Sequence, residues 1–325
     1  VNGSVGSVGR VNSMKTYMVE KYPADYALIV KGIYNGEQRG FYYIGSNTYQ
    51  SDLAGQTVTH AQLLASAQAG SPLTWTVVHP RTKIRHGVDR DSDGIFDYVD
   101  GDAELALTLI LEGPLNGSTM RTDLRTAGLI PTTDPYGSGE LLKPEVLERT
   151  GSTAVVDWVW LELRDATDPT TVVDGRAALV QADGRVVMAD GATPVLFPNA
   201  PRGNYHVLAT HRNHLGTLTA APYGFGSGVR TLDLSSSTVA TYGTEGRRTI
   251  GSIQALWAGD VNGDGMLRYT GLNNDRDPIL ARIGGLLPTA VTTGYHAEDV
   301  DLNGVVRYTG ADNDRDPILN NIGGA

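Results

Sequence analysis

Two stretches near the C-terminus set oxygen-bearing side chains at alternate positions and then supply glycine. The first reads Asp260-Val-Asn262-Gly-Asp264-Gly265 followed by Met266; the second reads Asp299-Val-Asp301-Leu-Asn303-Gly304 followed by Val305. In such a loop the oxygens at positions 1, 3 and 5 turn inward, glycine at 6 permits a sharp bend, and residue 7 offers its backbone carbonyl. That is the opening of an EF-hand-type calcium loop. The bidentate Glu usual at position 12 is replaced by Gly271 and Gly310. Each copy then supplies Asn-Asp-Arg-Asp-Pro, at 274–278 and 313–317, so a longer loop can return a carboxylate from Asp275 or Asp277, and from Asp314 or Asp316. Asp277 and Asp316 also precede Pro at the head of a short apolar run, the pattern of a helix N-cap with Pro at the first helical position. Capping and ligation are both open for these two. Because every donor is a hard oxygen on a flexible loop, the expected ion is Ca²⁺ rather than Zn²⁺ or Mg²⁺.

A third run, Asp89-Arg-Asp91-Ser-Asp93-Gly94-Ile95-Phe-Asp97, alternates carboxylates in the same way and adds the Ile95 carbonyl. Asp100 and Asp102 stand close enough in sequence to complete its shell or a neighbouring one. Residues 89–102 hold six Asp and one Arg, and residues 255–325 hold ten acids and five Arg, so each stretch carries −5 and together they account for the whole net charge of −10. Acid concentrated in this way repels itself unless a cation intervenes. The alternative for 89–102 is an acidic surface linker.

The elements that must hold these residues can be read along the chain. Residues 26–33 and 41–44 are β-rich and flank a turn-forming stretch at 35–40. Thr59 is placed to cap a short helix through Ala69, ended by Gly70, and 75–78 reads as a strand. Residues 1–88 are therefore expected to form a small α+β piece and 89–102 a calcium-binding acidic linker. From 103 to 250 the expected strands are 105–111, 154–163, 177–181, 185–188, 194–197, 205–211 and 231–234, separated by turn signals such as Asp183-Gly184. That spacing favours an Ig-like β-sandwich. Val155, Val159, Leu161 and Leu163 share one face of their strand, with Trp158 and Trp160 on the other, set to pack on 117–148. His206, His211 and His214 fit a strand edge or core better than a transition-metal site. Residues 259–285 recur 39 positions on, with seventeen of 27 identical, as two copies of one unit with short helices at 278–283 and 317–322.

Composition excludes several functions. A chain of 325 residues with 40% hydrophobic and 19% charged residues has material for two or three domains and real cores. Its longest apolar-leaning run, 103–111, is interrupted by Glu104 and falls short of the ~20 residues that span a bilayer, so no membrane span is expected. The acidic balance argues against nucleic acid as a partner. Absence of Cys removes disulfides, zinc–thiolate sites and a cysteine nucleophile. No Gly-x-Ser-x-Gly elbow and no phosphate-cradling glycine loop is present, so no catalysis is expected. The start, Val1-Asn-Gly-Ser, has neither initiator Met nor signal peptide and reads as an internal or mature start. Residues 1–12 mix small residues with Val and are the expected donor of a strand to a neighbouring copy.

The paired loops, with Tyr-Thr-Gly and Asn-Asp-Arg-Asp as an insertion, resemble the calcium repeats of dockerin domains. The run Asp89–Asp97 is similar to a thrombospondin type 3 repeat. Together with Asp157-Trp-Val-Trp-Leu-Glu-Leu-Arg and His211-Arg-Asn-His-Leu-Gly, residues 104–325 resemble the C-terminal region of large secreted bacterial surface proteins. The resemblance implies an extracellular location and a non-catalytic tail, with a mainly β fold closed by a dockerin-like module at 251–325. The expected function is a calcium-stabilised structural or adhesive protein that assembles with its own copies into a scaffold or filament. The alternative is a docking module joining a larger secreted protein or enzyme to a protein partner. Without calcium, the region 255–325 is expected to melt first and leave the sandwich intact.

Overall fold

The computed structural model describes residues 5–68, 71–90, 92, 94, 96–98, 103–226 and 228–323. Strands hold 36% of residues and helices 17%, in several antiparallel sheets, so the protein is mainly β. The chain divides into two compact units, residues 1–102 with 201–203, and residues 103–200 with 204–325.

In the first unit, β1 (Ala27–Tyr34), β2 (Glu37–Gly45), β3 (Thr48–Ser51), β4 (Thr57–Thr59) and β5 (Leu73–Val78) form an antiparallel sheet ordered β4-β3-β2-β1-β5. The β1–β2 turn is tighter than the stretch expected at 35–40. Asn35 and Gly36 alone make it, at φ 53° and 87°, which are the left-handed values of a two-residue hairpin turn, and pairing runs out to Tyr34 with Glu37. Helix α1 (Val5–Ser13) runs on into a π-helical segment (Met14–Glu20). Its Val11 and Val19 join Phe41, Tyr49 and Leu63 in the core. Residues 5–12 are thus helical where a strand donor was expected over 1–12, and residues 1–4 of that expectation lie outside the described residues. Val8 and Val11 stand three apart, a helical spacing that puts them on one side of α1, with Val11 buried. Helix α2 (His60–Ser66) begins where expected, with Thr59 Oγ1 accepting from Gln62 N and Gln62 Oε1 accepting from Thr59 N, a capping box. Helix α3 (Lys83–Gly87) leads toward the acidic run.

The second unit is built on β6 (Ala103–Thr108), which precedes a small ribbon of β7 (Leu115–Asn116) and β8 (Thr119–Met120) and the single turn α4 (Asp123–Thr126). There follow β9 (Val155–Asp165), β10 (Val172–Gln181), β11 (Arg185–Val187), β12 (Val195–Phe197), β13 (Gly203–His211), β14 (His214–Leu218), β15 (Tyr223–Phe225) and β16 (Arg230–Asp233). Hydrogen bonding orders them β12-β6-β11-β10-β9-β13-β14, with β15 on β13 and β16 running parallel to β6. β9 is buried on both faces. Val155, Val159, Leu161 and Leu163 lie in the core on one side, while Trp158 on the other donates from its indole to the Pro131 carbonyl at 2.9 Å. Tyr136 closes over the same strand, 5.9 Å from the Trp160 ring.

The C-terminal segment adds a hairpin, β17 (Arg248–Ile250) with β18 (Ile253–Ala255), then α5 (Arg276–Arg282), a ribbon of β19 (Val291–Thr293) with β20 (Val305–Arg307), and α6 (Arg315–Asn321). The helices start two residues earlier than expected, so Pro278 and Pro317 occupy the third helical position, still within the first turn, where no N–H is needed. The two repeats share a core of Ala258, Val261, Ile279, Ile283, Val300, Val306 and Ile318. Ala255, Leu256 and Leu302 belong instead to the core of the large sheet.

Candidate metal centre

The second loop gathers its acids most tightly. Carboxylate oxygens of Asp299, Asp301 and Asp314 lie within 4.8 Å of one another, with Asp299 and Asp314 buried. Backbone amides set their directions. Asp299 accepts from Asn303 N at 3.0 Å and Gly304 N at 2.8 Å, and Asp314 accepts from Val300 N at 2.6 Å and Arg307 N at 2.7 Å. Asp301 accepts from Asn303 N and Nδ2, while the Asn303 Oδ1 accepts from Val305 N at 2.8 Å. Burial and the neighbouring acids push Asp314 up to about 8. Burial likewise raises Asp299 to about 7 against the pull of Arg212, and raises Asp301 against Arg121. Three carboxyls so placed cannot all ionise cheaply without a cation among them.

The first loop repeats the plan in a more open form. Asp275 accepts from Val261 N at 2.9 Å and Arg268 N at 2.8 Å, as Asp314 does in its loop. Asp260 Oδ2 accepts from Gly265 N at 3.1 Å, but its Oδ1 is buried with no partner. Burial first and the Asp275 charge second raise Asp260 to about 6. Asn262 Oδ1 accepts from Asp264 N, and Asp264 accepts from Met266 N and from the Arg268 guanidinium at 2.6 Å. The Met266 side chain is exposed.

Asp277 and Asp316 stand outside these clusters. Each pairs across the first helical turn with an asparagine: Asn274 Nδ2 donates to Asp277 Oδ2 at 2.8 Å while Asp277 N donates to Asn274 Oδ1 at 2.9 Å, and Asn313 repeats this with Asp316. The carboxylates that turn back onto loop amides are therefore Asp275 and Asp314, while Asp277 and Asp316 pair with asparagine at the helix starts. In the acidic run, Asp89 is buried and accepts from Ser92 N at 2.7 Å and Gly94 N at 3.2 Å. Asp97 accepts from Arg90 N at 2.8 Å. The expected ligands Asp91, Asp93 and Ile95, with Asp100 and Asp102, lie outside the described residues.

The unpartnered Asp260 oxygen and the crowded acids of the second loop both suit a cation, and the donor set is all oxygen, the chemistry of a hard divalent ion. The residues present fit such a group.

Sequence reasoning missed the side chains behind the second loop. Asp157 is fully buried in β9, accepting from Tyr295 Oη at 2.6 Å, from Arg212 Nε at 3.1 Å and, as the tautomer below sets it, from His211 Nε2 at 3.0 Å. Burial alone would raise its pKa, but Arg212 and His211 hold it at about 2. Gly113 N donates to His214 Nε2 at 3.1 Å, which leaves the His214 proton on Nδ1, 3.0 Å from His211 Nδ1; His211 then donates from Nε2 to Asp157. Both histidines are neutral core residues in a closed chain of hydrogen bonds, and burial lowers both pKa values. From the same corner Asn213 Nδ2 donates to the carbonyls of Ala297 at 3.0 Å and Asp299 at 2.6 Å, and Arg212 donates to the His296 carbonyl. The available signal was Asp157 itself, a carboxylate set among Val155, Val156, Trp158 and Val159, which demands buried partners.

Leu302 completes the contact. It is 1% exposed within the large sheet's core and adopts a left-handed φ of 58°. Such a conformation costs a bulky residue about 1–3 kcal/mol, and burying Leu stabilises by roughly 1.5–3 kcal/mol, so the two nearly cancel. No protein-family model matches the chain, and neither does any curated protein or solved structure.

Proposed function

We propose that this is a secreted, calcium-stabilised, non-catalytic structural or adhesive protein that assembles with its own copies into an extracellular scaffold or filament. One observation carries the reading: three carboxylates within 4.8 Å of one another in a largely buried loop, in a motif that the sequence repeats. Calcium is the ion chosen because the donors are all hard oxygens on irregular loops, where variable coordination is tolerated. Asp299, Asp301, Asn303 and Asp314 would hold one ion with the Val305 carbonyl. Asp260, Asn262, Asp264 and Asp275 would hold another with the Met266 carbonyl, and the run Asp89–Asp97 a third. A bound ion would neutralise the acids that otherwise repel. The reading includes a dockerin-like module at 251–325, supported by two loop-helix copies sharing one core. It also includes an Ig-like sandwich at 103–250, supported by the burial of β9 on both faces.

The docking alternative has its own support. Leu272, Leu286 and Leu287 are 88%, 89% and 67% exposed, apolar side chains on the repeats that a protein partner would cover. Metal analysis after exhaustive exchange into calcium buffer tests the shared part of both readings. At least three equivalents per chain are expected, and fewer than two would contradict it. Light scattering separates the two: the scaffold reading expects self-association in calcium, and the docking reading expects a monomer until a partner is added.

A further inference from the structure

Val261 and Val300 enter one shared core, and Gly259 N at the mouth of the first loop donates to the Asn213 carbonyl at 2.9 Å, but beyond these anchors the two loops differ. In the first, Asn262, Gly263, Asp264 and Gly265 are all exposed, and nothing lies within 4 Å of a Cβ built on Gly263 or Gly265. In the second, the position matching Gly263 is Leu302, buried in the core of the large sheet. The position matching Gly265 is Gly304, over which the Leu129 side chain closes so that a Cβ would meet it at 2.8 Å. Gly113, just beyond β6, approaches the Val300 carbonyl so nearly that a Cβ there would lie 2.2 Å from it. Side chains of the sheet also grip the second loop's backbone. Asn213 donates to the Asp299 carbonyl at 2.6 Å and Arg121 to the Asp301 carbonyl at 2.9 Å. The second loop alone is braced by a ribbon, β19 with β20, among the described residues of the two.

We infer that the two metal loops are functionally unequal: the second is a structural lock whose ion is held by residues of the sheet, with Leu302 and Asn213 as positioning residues, and the first is a readily exchanging site. This rests on the calcium reading above. An ion can leave the first loop through the exposed turn at 262–265, although its ligands Asp260 and Asp275 are buried, without moving any residue out of the sheet core. To leave the second, Leu302 must withdraw from the sheet core and the Asp299 carbonyl must break from Asn213, so release is slow. The coupling runs both ways. An ion that orders the second loop also holds Leu302 in the sheet, and a sheet that seats Leu302 preorganises the ligands. Outer contacts of this kind commonly change metal affinity by ~10–100-fold.

The test is calcium release from the full chain into excess fluorescent chelator, followed by stopped flow. A fast phase should vanish in Asp260→Asn and a slow phase in Asp299→Asn. Leu302→Gly, which makes the second loop match the first, should accelerate the slow phase by ~10–100-fold and leave the fast one unchanged, whereas Leu302→Met should restore slow release. Asn213→Ala provides a second variant should Leu302→Gly fail to fold, with the same expected selectivity. Hydrogen exchange in β9 should rise in Asp299→Asn and stay at the unmutated level in Asp260→Asn. Equal release rates from the two loops, or a variant that speeds both phases alike, would overturn the inference while leaving the calcium reading standing. A chain that releases no calcium would overturn both.

Discussion

Asp314, Asp299 and Asp260 carry the account at the residue scale, since their surroundings hold them at about 8, 7 and 6. An unfolded Asp titrates near ~4. Between that value and the folded one, the native state binds more protons than the unfolded state, so the metal-free protein loses stability as pH rises from ~4 to ~8. The melting temperature in chelator should therefore fall from pH 5 to pH 8, and calcium should abolish that fall by stabilising the ionised carboxylates. A flat or rising metal-free curve would contradict the placement of these acids. Asp157, held low at about 2, acts outside this window and loses its contribution only in stronger acid. Much of this chemistry was legible because the 1, 3, 5 spacing is local. That Asp275 rather than Asp277 turns onto the loop amides was not, because it depends on where the helix starts. The partners of Asp157 are 54, 55 and 138 residues away, a separation that no local pattern reports.

Elements whose start or turn is fixed by neighbouring residues were readable in place, though the β1–β2 turn proved shorter and α5 and α6 began two residues earlier; those fixed from a distance were not. Thr59 with Gln62, and Asn35 with Gly36, each satisfy backbone demands within four residues. Replacing Thr59 by Ala removes the cap of α2 and should cost the first unit ~1 kcal/mol. For a unit of this size that lowers its melting transition by about 4–8 °C, which calorimetry would resolve. An unchanged transition would mean that α2 is held by Leu63 in the core and not by its cap. The ribbons β17–β18 and β19–β20 escaped notice because strands of three residues are too short to show a period. The parallel pairing of β6 with β16 was equally invisible, since it joins residues more than a hundred positions apart.

At the scale of the molecule, the sheet and the repeats share one compact unit. Leu256 N donates to the Ile110 carbonyl at 2.8 Å, and the Asn321 amide at the end of α6 donates to Glu112 at 2.8 Å. The expectation that 255–325 melts alone and leaves an intact sandwich therefore gives way to a coupled loss, because unfolding the repeats withdraws Leu256 and Leu302 from the sheet. On the proposed reading, each site with calcium at ~100 times its dissociation constant would contribute about 2.7 kcal/mol, so two sites would supply about 5 kcal/mol, comparable to the net stability of a whole domain. The central claim, that calcium holds this unit together, is tested most directly by limited proteolysis of the full chain in calcium and in excess chelator, with cut sites mapped by mass spectrometry. In calcium, residues 103–323 should resist. In chelator, cleavage should begin in the exposed first loop between 260 and 277 and spread into the sheet, with no stable fragment ending near 251. An identical cleavage map in the two conditions would contradict the account.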